Sequence, residues 1–168
     1  MHVTIDVPVP LSAAAYATLV RDESFVRFRT AVPGARVDDV IVTPADGESF
    51  TVTVRRSVSA AQIPPQVRSF VGSELEIRQV EAWEGERGGA WHGTVALEIT
   101  GTPVRMTGTV ELVPSGDGAI LRYDGDVRAS IPLFGPAVER SAAEAVRATL
   151  GAEELRVQAW VDVHGTPA

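Results

Sequence analysis

Residues 136–160, PAVERSAAEAVRATLGAEELRVQAW, read as one long helix near the end of the chain. Val138, Ala142, Ala145, Val146, Thr149 and Leu150 fall on a broad apolar stripe at helical spacing, continued by Leu155, Val157 and Trp160. Pro136 suits a first helical turn, and Gly151 is a soft spot inside the run. The spacing predicts a helix from Pro136 to Val161. Such a helix cannot bury its stripe alone, and neither can a single curved sheet. Their economical arrangement is a sheet wrapped around the helix, with space left between the two.

The rest of the chain supplies the sheet. His2–Val7 alternates, and Pro8 and Pro10 are expected to end that strand because proline donates nothing to a ladder. Ser12 is a good N-cap for a helix over Ala13–Val20. Phe25–Arg29 fits either a second short helix or a packed turn. Ala35–Thr43, Phe50–Val58, Glu74–Trp83, Ala90–Thr100, Val104–Val113 and Ala119–Ile131 read as strands. Short Gly- and Pro-rich connections between the later ones indicate an antiparallel meander. Ser59–Gly72 breaks the alternation and reads as a loop followed by one or two helical turns. Residues 1–168 are expected to form one domain of the α+β class.

Composition removes several functions. The chain has no cysteine, which excludes disulfides and thiolate chemistry. Its formal net charge is -7 and every basic residue is an arginine, in no clustered run, so no nucleic-acid partner is expected. His2, His92 and His164 form no cluster, and no metal or cofactor is expected. No segment is apolar enough to span a bilayer, and the first residues alternate like a strand rather than a secretion signal. A cytoplasmic protein is the expectation. Serine-hydrolase, phosphate-loop and dinucleotide motifs are absent, so no catalytic residue is assigned.

The order strand, short helices, antiparallel strands, long final helix resembles the helix-grip fold of the START, birch-pollen-allergen and polyketide-cyclase-like superfamily. Local matches run from Phe70-Val71-Gly72 through Gln79–Trp83, Gly101–Val104 and Ile131–Gly135 to Val138-Glu139-Arg140, Ala152-Glu153-Glu154 and Trp160. Within the superfamily the chain is similar to an uncharacterised actinobacterial family, the domain of unknown function 2505. The resemblance implies a curved sheet around the helix with a cavity between them. It carries no catalytic residue.

Period-two alternation assigns the inner faces. Leu75, Ile77, Gln79, Glu81 and Trp83 share one face. Trp91, Met106 and Tyr123 lie on the matching faces of later strands. Arg56 sits on the apolar side of its strand. A buried charge is costly unless paired, so Arg56 and Glu81 are expected either to pair or, with Gln79, to orient a ligand. Trp83, Trp91 and Tyr123 are candidates for ligand stacking, with plain core packing as the alternative. Phe70 and Val71, with Ile63 and Pro64, are a candidate gate over the pocket, with ordinary loop packing as the alternative, and Val146 and Leu150 face the pocket from the helix. The adjacent acids Asp22-Glu23, Asp38-Asp39 and Glu153-Glu154 read as solvated surface. Three functions follow as expectations. One is binding of a small hydrophobic ligand for carriage or sensing. Another is a cyclase, dehydratase or isomerase in which burial raises the pKa of Glu81. The third is a non-catalytic module with a filled core.

Overall fold

A computed structural model describes residues 1–59, 61, 68 and 72–167. The described strands are β1 (His2–Val9), β2 (Ala35–Pro44), β3 (Phe50–Ser59), β4 (Glu74–Trp83), β5 (Trp91–Ile99), β6 (Val104–Ser115) and β7 (Gly118–Ala129). The described helices are α1 (Ala13–Leu19), α2 (Glu23–Thr30), α3 (Gly135–Gly151) and α4 (Glu153–His164). The strands make one antiparallel sheet in the order β1-β7-β6-β5-β4-β3-β2.

Local chemistry sets these elements. The Ser12 side chain accepts from the Ala15 amide (3.2 Å) at the start of α1. Asp22 does the same for Ser24 (2.8 Å) at α2, which settles the Phe25–Arg29 segment as helix. Pro8 does not end β1. The strand runs through it to Val9, pairing with Ile120 and Ala119. β1 is the sheet's edge, where a strand has one side without ladder partners and tolerates a missing N–H. Near the β1 edge of the sheet Gly108 faces Gly125 across β6 and β7. A Cβ on Gly108 would lie 2.0 Å from the Asp124 carbonyl oxygen, so glycine is what lets these backbones approach.

The C-terminal helix is nearly continuous but broken once, at Ala152, beside the soft spot at Gly151. The two pieces do different work. α3 packs on β7 and β1, whereas α4 packs on α2 and β1. Trp160 of α4 meets Phe25 of α2 edge-on, with ring centroids 5.5 Å apart. No described helix is long and apolar enough to cross a membrane.

Candidate functional site

The sheet is wider than one helix. α3 covers the β7 and β1 side, and α2 packs on β2. Between them the concave faces of β3 to β6 stand away from α3, and a cavity of about 330 Å³ remains. Val58, Leu75, Ile77, Leu97, Ile99, Val104 and Met106 form its sheet wall. Val138, Ala142, Ala145, Val146 and Leu150 form its helix wall. The alanines divide their roles. Ala143 is fully buried in the core and lets the helix approach the sheet, whereas Ala142 and Ala145 leave space over the cavity. A core cavity of ~150 Å³ already holds a benzene, so this one is large enough for a ligand. The exposed residues Pro33 and Ala145 stand at its rim.

Period two brings Arg56 and Gln79 inward as expected, and both line the cavity. Arg56 Nη2 donates to Gln79 Oε1 (2.8 Å). Gln79 Nε2 donates in turn to Glu81 Oε1 (2.8 Å). Arg56 and Glu81 therefore communicate through an amide rather than as an ion pair.

Glu81 pairs with Arg29. Arg29 Nη2 donates to Glu81 Oε2 (2.9 Å), and its Nη1 donates to Glu153 Oε1 (2.6 Å). The Tyr16 hydroxyl also donates to Glu153. Trp83 Nε1 (3.2 Å) and the Tyr123 hydroxyl (3.2 Å) donate to the two oxygens of Glu81. Every residue named here is at least nine-tenths buried. This is a dense polar knot tying α1, α2, α4 and the sheet together.

Burial opposes the charge on Glu81, but the Arg29 guanidinium and the hydrogen bonds from Arg29, Gln79 and Trp83 outweigh it. The carboxyl is held below its usual range. The expectation of a raised pKa is thus reversed, because sequence alternation shows burial but not the cation opposite. For Arg29 burial is likewise overcome, here by Glu81 and Glu153, and its pKa rises. Burial, then the nearby carboxylates, pushes the Tyr16 and Tyr123 phenols up, so both remain donors. Arg56 goes the other way: burial, then repulsion from Arg29, lowers its pKa.

The sequence-predicted residues separate into two groups. Arg56, Gln79, Met106, Val146 and Leu150 meet around the cavity. Glu81, Trp83, Trp91 and Tyr123 are buried on the same face but outside the wall. Trp83 stacks on Phe50 (centroids 6.1 Å apart), and Trp91 packs in the core with its indole N–H lacking a partner among the described residues. Phe70 lies outside the described residues, as do Ile63, Pro64 and Val71.

Three residues of the knot were not singled out. Glu153 is 3% exposed, which overturns its reading as solvated surface. It lies seven residues after Val146 and four before Val157, so helical spacing places it on the buried stripe. Arg29 lies four residues after Phe25, on the buried face of α2. Tyr16 carried no signal beyond its place in α1. Among the described residues no group of three or more His, Cys, Asp or Glu is placed to hold a metal.

A curved antiparallel sheet gripping a long C-terminal helix beside a cavity is the helix-grip fold. The chain belongs to the family described as a protein of unknown function, DUF2505, whose profile matches residues 4–161. TTHA0849 from Thermus thermophilus is similar in structure, with a TM-score of 0.60 and 18% identity over 95% of this chain and 99% of that one. A START superfamily protein from Mycobacterium smegmatis gives 0.56 and 21% over 95% and 98%. A STAR-related lipid transfer protein from Xanthomonas axonopodis gives 0.54 and 20% over 91% and 83%. Identities this low speak for the fold alone. No curated protein matches the chain.

Proposed function

We propose that this protein binds a small hydrophobic molecule, such as a lipid or polyketide, between the sheet and α3, for carriage or sensing in the cytoplasm. The observation that carries this reading is the apolar-walled cavity of about 330 Å³. A filled core would have no such space. Each ligand methylene moved from water into that wall contributes about 0.8 kcal/mol, so a modest hydrocarbon supplies useful affinity even after the cost of immobilising it. The fold shared with a lipid transfer protein from Xanthomonas axonopodis agrees with this reading. A role for Glu81 as acid or base finds no geometric support, since its oxygens are occupied and off the cavity wall.

The test is native mass spectrometry of protein purified gently from its own host, together with titration by an uncharged fluorescent probe. The expected result is a bound hydrophobic molecule, or saturable probe binding that falls about tenfold or more in Ala142→Phe as the added ring fills the cavity. An empty protein that binds no member of a broad hydrophobic panel overturns the reading.

A further inference from the structure

Arg56 is a buried cation whose electrostatic needs the protein leaves half-met. It is 4% exposed. Among the described residues its side chain makes one hydrogen bond, to the neutral amide of Gln79, and its Nε–H is buried without a partner. Both buried carboxylates of the inner face, Glu81 and Glu153, are taken by Arg29.

A third guanidinium stands close by. Arg156 lines a void of about 10 Å³, room for one water, together with Arg29, Arg56 and Glu153. Its Nη1 donates to the Arg29 carbonyl (2.8 Å). Three guanidiniums thus face two carboxylates; Arg156 is half-buried and reaches water, whereas Arg56 is buried with no carboxylate hydrogen-bonded to it among the described residues. Burial and then the repulsion of Arg29 act against its charge; Glu81 offsets part of this, and Arg156 adds a smaller repulsion. Arg56 and Gln79 border the small void as well as the large cavity, so they mark the cavity's inner end. The wall from there to Ile99, Val104 and Val138 is apolar.

We propose that the cavity's ligand is an amphiphile with a single carboxylate, bound head inward on Arg56 with its tail along the apolar wall. The guanidinium fork matches a carboxylate in plane and spacing, and a buried, charge-assisted pair is about twice as strong as a neutral hydrogen bond. One anion balances the surplus charge, whereas a dianion would overshoot it. Gln79 positions the fork by holding Nη2. Arg105 also borders the space, but it alternates with the inward Val104 and Met106, so its side chain is exposed on the sheet's other face and stays solvated.

The inference rests on the cavity-binding reading above, and the test separates the two. Dodecanoate and dodecanol share a tail and differ in the head. Each is titrated against the wild type, Arg56→Met, Arg105→Met and Gln79→Glu by displacement of an uncharged probe. The wild type is expected to bind the acid about tenfold tighter than the alcohol, the ratio worth one charge-assisted bond. Arg56→Met should lose that preference while holding dodecanol within about threefold, which also shows that the variant is folded. Gln79→Glu, which supplies Arg56 with an internal carboxylate, should lose it too and covers the case of a misfolded Arg56→Met. Arg105→Met should keep it. Equal binding of acid and alcohol by the wild type overturns the anchor and leaves the cavity reading standing. So does an acid preference that survives in Arg56→Met or moves to Arg105. Failure of the wild type to bind dodecanoate, dodecanol and the uncharged displacement probe, together with the rest of the hydrophobic panel, overturns both.

Discussion

Arg29 and Arg56 are both buried on the concave side of one sheet, yet their surroundings differ. Arg29 holds two carboxylates and two phenols stand beside it, with four elements meeting around its guanidinium. Arg56 holds one amide and borders an apolar cavity. A protein that needed charge only for packing would match both. The Nε–H of each arginine lacks a partner among the described residues, but Arg29 has two carboxylates from within the chain, whereas Arg56 has none and stands beside open space. Position along the helix explains the division. Past Ala152, α4 turns Glu153 into the sheet and fills the space, while α3 presents alanines and leaves it open.

The largest effect that could break this contrast is expected from Arg29→Met. Removing one partner of a buried pair leaves an uncompensated charge, at a cost of about 3–5 kcal/mol, and here two carboxylates lose their cation at once. Urea unfolding measures it. A loss under about 1 kcal/mol would mean that water reaches the knot and that the two arginines are not different in kind.

Acid titration gives a smaller, graded effect. The folded pKa of Glu81 is depressed, so its contribution is fully present above the unfolded value of about 4.3 and is lost as pH falls through the folded value. Glu81→Gln is therefore expected to be less stable than wild type near neutral pH, with the gap narrowing as pH falls below about 4.3 and through the folded value. Urea midpoints of the pair across that range decide it. Asp6, Asp38 and Glu139 also have lowered pKa values, so only the difference between the two proteins reports on Glu81. A gap that stays constant as the carboxyl is protonated would show that the amide costs through shape and not through charge.

Sequence showed the sheet more fully than the site. Alternation alone put Arg56, Gln79 and Met106 on the inner face, because a strand has only two faces and most of its neighbours on one are apolar. Alternation could not place Glu81 outside the cavity, since position along a strand relative to the helix depends on how the helices lie. Arg29 was hidden by the undecided reading of Phe25–Arg29; once that segment is a helix, the step of four from Phe25 carries Arg29 inward. Glu153 was hidden because neighbouring acids usually mark a surface, and its stripe position had to outweigh that habit. Pro8 misled for a different reason. A proline ends a strand only where both sides of the strand need donors, and edge position is a property of the whole sheet.

The smallest stability effect is expected where the sequence drew attention first. Arg56→Met removes a guanidinium that burial and its neighbours disfavour, together with one hydrogen bond to an amide. Replacing a poorly compensated buried charge by an apolar side chain of similar length is often neutral or stabilising, so unfolding free energy should change by less than about 1 kcal/mol. The Gln79 carbonyl then loses its donor, which works against the gain and keeps the net small. Measured by urea unfolding beside Arg29→Met, this pair of variants tests the comparison directly. If Arg56→Met costs as much as Arg29→Met, then Arg56 is a strut of the fold and the cavity beside it is incidental. If it costs nothing, the protein keeps a charged group at the inner end of an apolar space without gaining stability from it, and the reason for that arginine has to lie in what enters the space.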